Sequence, residues 1–151
     1  MDKKRNIAQI VELFALFAIL LMVITVITVT FVTTRNKSAY ARDLTEAVCA
    51  AEQVTEISMS SYDEDEMNDL LNGADSIEIV TVANSAGKME YILDVTIGEE
   101  GSRRVYSVVL TRKEEIGSGG KYIDTHTDVS LKGADQILYS LDSGKYIEEG
   151  E

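Results

Sequence analysis

The chain has 151 residues and a net charge of −12. The charge is uneven: Lys3, Lys4 and Arg5 against Asp2 and Glu12 give the first 34 residues +1, which leaves −13 for the rest. So acidic a segment repels phosphate backbones, which excludes nucleic acid as a partner. Cys49 and His126 are the only residues of their kinds, which excludes an intrachain disulfide and the usual zinc spacings.

Residues 1–6 read as a short basic cytoplasmic leader and residues 7–34 as a transmembrane helix. From Leu13 to Val32 there are 20 residues without a charge, enough to cross roughly 30 Å of hydrocarbon at about 1.5 Å per residue. Val23 to Thr30 is a β-branched run that would suggest a strand in water. In a bilayer a lone strand leaves its backbone unpaired, so a helix is required, with Thr25, Thr28 and Thr30 returning their hydroxyls to the preceding turn. Ala39-Tyr40-Ala41 has the form of a signal-peptide cleavage site. The apolar stretch, however, exceeds the roughly 7–15 residues of a signal peptide, and Arg35 and Lys37 interrupt the approach to the site. A single-pass anchor in the cell membrane, not removed as a signal peptide, is expected, its N-terminus cytoplasmic and its acidic C-terminal part extracytoplasmic.

Glu12 interrupts the apolar stretch early. An ionised carboxylate in a span costs about 2.5–3.5 kcal/mol at the centre and less near the edge. Glu12 therefore either stays hydrated near the interface, beside Arg5, or meets a positive partner on another chain.

Residues 35–60 continue the helix as an amphipathic segment. Tyr40, Leu44, Ala47, Val48, Ala51, Val54 and Ile57 recur at spacings of three and four and form a packing stripe. With no Gly before Gly73 and no Pro at all, one helix is expected from about Ile7 to about Ser58. Cys49 is expected on or beside the stripe as a small buried hydrophobe.

The basic leader, the apolar helix with one early Glu and the amphipathic continuation Ser38–Glu56 resemble type IV pilins and the pseudopilins of type II secretion, including pilin-like proteins of Gram-positive bacteria. The resemblance covers the first 58 residues. It implies an assembly role for Glu12, which would pair with the free amine of a neighbouring subunit after processing by prepilin peptidase, between Ile7 and Ala8. The sequence departs from the family pattern at Ile7, where such sites have Gly.

Residues 61–151 form the acidic β-domain. Ser61–Gly73 reads as a short capped helix with acids in its first turn. Its acidic cluster does not fit a calcium loop: Asn68 stands where Gly is required and Ala74 where Glu is required. From Asp75 the period becomes two, giving strands at Ile77–Val82, Met89–Ile97, Arg104–Arg112, Tyr122–Leu131 and Gln136–Leu141, with a last short edge at Lys145–Glu149. Ile116–Gly120 is expected as a flexible loop and lacks phosphate-loop spacing. The fold class is α+β: one long helix packed on an antiparallel meander of four to six strands.

No catalytic constellation, cofactor motif or small-molecule site is evident, and His126 has no marked nucleophile. Asn36-Lys37-Ser38 matches a glycosylation acceptor but is a short pattern beside the membrane. The expected partners are the lipid bilayer and other pilin-like subunits, and the expected function is a structural subunit of a filament or secretion-associated assembly. The alternative is a bitopic anchor whose extracytoplasmic domain binds a partner without polymerising.

Overall fold

The structure is a computed structural model that describes residues 2–85, 87–117 and 119–148; for residues 2–9 only the backbone is described. Helix α1 runs Asp2–Ser60 and α2 runs Glu64–Gly73. Five strands follow: β1 (Ile77–Ser85), β2 (Lys88–Ile97), β3 (Arg104–Gly117), β4 (Gly120–Leu131) and β5 (Ile137–Glu148). The sheet order is β1-β2-β3-β4-β5, with every neighbouring pair antiparallel. The architecture is α+β, a long N-terminal helix packed on an antiparallel meander. The chain divides into two compact units, Met1–Ala41 and Arg42–Glu151.

In the first unit α1 contains a stretch long and apolar enough to cross a membrane. Its large side chains from Ile10 to Val32 are all exposed. The β-branched run is helical. Thr25, Thr28 and Thr30 donate to the carbonyls of Leu21, Ile24 and Val26 at 2.8, 2.9 and 2.8 Å. Thr33 and Thr34 do the same to Val29 and Thr30.

In the second unit the end of α1 packs on one face of the sheet. The period of two puts Tyr91, Leu93 and Val95 of β2 on this face, in register with Leu110, Val108 and Tyr106 of β3. All six are fully buried, as are Ala47, Ala50, Ala51 and Val54 of α1. Bulky tyrosines from the sheet meet alanines from the helix, a pairing of volumes that fills the layer between them. Each large apolar side chain buried here contributes about 1.5–3 kcal/mol. Met67 and Leu71 of α2 join the same core.

The packed face keeps the direction expected of the stripe and is wider than it. Ala47, Ala51 and Val54 are buried and Leu44, Val48 and Ile57 half-buried, while Ala50, Thr55 and Ser58, not expected there, are buried. Tyr40 is 53% exposed: it lies before Arg42, where the sheet-bearing unit begins. Cys49 is also exposed, contrary to the expectation of a buried thiol. At about 100° per residue it lies roughly opposite the Ala47–Ala51–Val54 face, beside exposed Thr45, Glu52 and Glu56. Cys49 should therefore react fully with a maleimide in native protein; a requirement for denaturant would contradict this placement.

Two features of the sheet differ from expectation. In the segment expected as a loop at 116–120, the strands continue until Gly117 pairs with Gly120. A Cβ at Gly120 would collide with the Ile147 carbonyl oxygen, so β4 and β5 can pair this far only with glycine there. The expected separate strands at Gln136–Leu141 and Lys145–Glu149 are one strand, β5. Gly144 lets it continue past Ser143, because a Cβ there would collide with the Tyr122 hydroxyl; the ring lies over the bare backbone. Glu149 lies outside the described residues.

Candidate functional site

Two arrangements of polar groups stand out, one in each unit. In the first, Glu12 is exposed on α1 and has no hydrogen-bond or ion-pair partner among the described residues. Directly after it, Leu13, Phe14, Leu16, Phe17 and Leu20 line an open apolar groove of about 400 Å³. The threonines of the span have each satisfied their hydroxyl within the helix. Among the described side chains of residues 10–32, Glu12 is thus the polar group left without a partner. The proposed processing positions Ile7 and Ala8 lie outside the residues whose side chains are described.

In the second unit, cations from the sheet close on the end of α1. That helix has no basic residue in its last turn, and its final carbonyls lack intrahelical donors. Arg112 of β3, 1% exposed, supplies them. Its Nη1 donates to the Ser58 carbonyl at 2.9 Å and to the Ser61 hydroxyl at 2.6 Å. Its Nη2 reaches the carbonyls of Ser61 and Tyr62 at 3.4 and 3.3 Å. Glu114 balances the charge, 2.9 Å from Nη2. Lys121 donates to the Tyr62 carbonyl at 3.0 Å and pairs with Glu114 at 2.6 Å, and Lys145 donates to the Met59 carbonyl at 3.1 Å. Positive charge at a helix C-terminus is favoured by the helix dipole.

A second set of contacts holds the start of the packed segment. Arg104 pairs with Asp43, and the Tyr106 hydroxyl donates to Glu46 at 2.7 Å. Burial, reinforced by the Glu46 carboxylate, pushes the Tyr106 pKa up to about 12, so this phenol remains a donor at any physiological pH. The two clasps match in length. From Asp43 to Ser58 the helix rises about 23 Å, and from Arg104 to Arg112 the strand covers about 26 Å. Between them, the Thr55 and Thr127 hydroxyls meet at 2.8 Å and those of Ser58 and Thr125 at 3.3 Å.

The acidic cluster before α2 serves as a cap. Asp63 accepts from the Glu66 N–H of the first turn at 2.9 Å, and Glu66 accepts from the N–H of Tyr62, just before the cap, at 2.7 Å. Among the described residues no group of His, Cys, Asp or Glu is arranged to hold a metal ion.

His126 is on the opposite, solvent-facing side of the sheet, with both ring nitrogens facing carboxylates: Asp142 at 2.5 Å and Asp128 at 3.2 Å. Only an imidazolium can donate to both. The hydrogen bond to Asp142 raises the histidine pKa above its usual value, aided by Asp128 and opposed by desolvation. The native pKa thus exceeds the unfolded one. The stabilisation is fully present below about pH 6.5 and is lost as pH rises through the raised native value. The site is 46% exposed, so the contribution should stay below about 1 kcal/mol. Unfolding followed across this window should show the loss in wild type and not in His126→Gln; identical pH profiles would contradict it.

Comparison with known protein families, curated proteins and solved structures finds no match to this chain.

Proposed function

We propose that the protein is a structural subunit whose apolar helix packs against those of like subunits in a pilin-like filament or secretion-associated membrane assembly. One observation carries this reading: among the described side chains of residues 10–32, Glu12 is the polar group without a partner, in a stretch long and apolar enough to span a bilayer. A carboxylate in that setting is costly unless hydrated or paired, and its own helix provides no partner among the described residues. A neighbouring copy shifted along the helix axis carries the complement in its N-terminal segment, where Lys3, Lys4 and Arg5 lie. The apolar groove after Glu12 then receives side chains of the adjacent helix. In this reading the protein spans the cell membrane once, with the N-terminus cytoplasmic and the acidic domain extracytoplasmic.

The test is co-expression of two copies carrying different affinity tags, solubilised from membranes in a mild detergent. Purification through one tag should recover the other copy. Recovery of the captured copy alone would support the rival reading, a bitopic anchor that does not polymerise.

A further inference from the structure

The meander leaves two strands with one neighbour each, β1 and β5. Alternate backbone N–H and C=O groups of such strands face away from the sheet and can template another strand. The two edges are guarded differently. β5 carries Asp142, Lys145 and Glu148, charges that discourage pairing. β1 has no charge from Ile79 to Ser85 and contains Val80, Thr81 and Val82, a β-branched run suited to pairing. Every residue from Val80 to Ser85 is exposed. The register irregularity between Ile79 and Thr81 disrupts pairing at Val80, which confines the usable edge to 81–85.

The surroundings specify the chemistry of an incoming strand. At the turn end of β1 a depression of about 310 Å³ is lined by Asn84, Gly87, Met89, Ile116 and the carboxylates of Asp63, Glu64 and Glu114. Asp63 caps α2 and Glu114 is held by Arg112 and Lys121, whereas Glu64 has no partner among the described residues. Lys88, the nearest cation in sequence, is paired with Glu90 at 4.0 Å. A second acidic domain would meet repulsion here, but a basic side chain could rest its stem on Met89 and Ile116 and its head at Glu64.

We infer that the open edge of β1 is a docking site for an extended, basic segment of a partner protein, which adds to the sheet as a sixth strand alongside 81–85. Backbone pairing supplies the register and the acidic depression selects the charge. This surface is independent of the association of the membrane helices.

The test uses the full chain in detergent micelles and a short peptide alternating valine with lysine. Hydrogen exchange should show saturable protection of amides in 81–85, with no protection by the counterpart that has glutamate for lysine. Thr81→Lys combined with Ala83→Lys should weaken binding about tenfold, and Glu64→Gln about threefold, each without shifting the unfolding midpoint. Equal protection by the glutamate peptide would overturn the proposal, as would protection at β5 instead. Protection of 81–85 that grows with protein concentration and no peptide would assign the edge to a second copy and also overturn it.

Discussion

Replacing Arg112 with methionine should destabilise the sheet-bearing unit by about 1–3 kcal/mol. The guanidinium is 1% exposed and supplies donors to Ser58, Ser61 and Tyr62. Methionine fills much of the volume, so the loss reports the polar contacts more than a cavity. Ser58 keeps the Ser61 hydroxyl and Tyr62 keeps Lys121 as donors, both at 3.0 Å, so the loss falls on the Ser61 carbonyl and the Ser61 hydroxyl, and a buried acceptor left unpaired costs about 1–3 kcal/mol. Glu114 keeps Lys121 as a partner, which limits the penalty on its side. Arg112→Lys should recover only part of the loss, because an ammonium cannot span the separated acceptors that the guanidinium fork reaches. Denaturant unfolding followed by far-ultraviolet circular dichroism would measure both variants. A midpoint for Arg112→Met within error of wild type would show that the helix end is satisfied without the clasp.

That clasp shows what was and was not legible in the sequence. The period-two pattern located the strands, though it divided β5 in two, and it also contained the parity of Arg112. Tyr106, Val108 and Leu110 alternate inward, and position 112 continues the series. A charged residue at an inward position is discounted when strands are read by hydrophobicity, because the acceptors that make its burial tolerable lie more than fifty residues earlier, in a helix end. Lys121 and Lys145 were hidden for the same reason.

Helix phase was legible in principle. The positions Ala47, Ala51 and Val54 define the buried face, and the 100° rotation puts Cys49 on the far side. Tyr40 has the right phase yet is exposed, because phase specifies a face and not how far the sheet beneath it extends. Glycine misled in the other direction. Gly117, Gly120 and Gly144 read as flexible or breaking positions, whereas two of them are where the backbone of β5 or a tyrosine ring lies too close for a Cβ. Such close approaches exist only once the sheet has formed.

Glu12→Gln carries the second large effect, on association and not on folding. The first unit has no packed core that the substitution could disturb, since the span's large side chains are exposed throughout. Glutamine retains hydrogen-bonding capacity but removes the charge that a neighbour's cation would meet in a poorly screened environment. Loss of roughly 1.4 kcal/mol from each contact would weaken association about tenfold, and a repeated contact would compound the loss.

The most direct measurement compares wild type and Glu12→Gln in the two-tag copurification, at equal membrane expression. The account predicts that wild-type copies recover one another and that recovery falls about tenfold or more for the variant, with surface display of the acidic domain unchanged. Recovery of Glu12→Gln copies at the wild-type level would contradict the role assigned to the carboxylate, and with it the observation on which the proposed assembly rests.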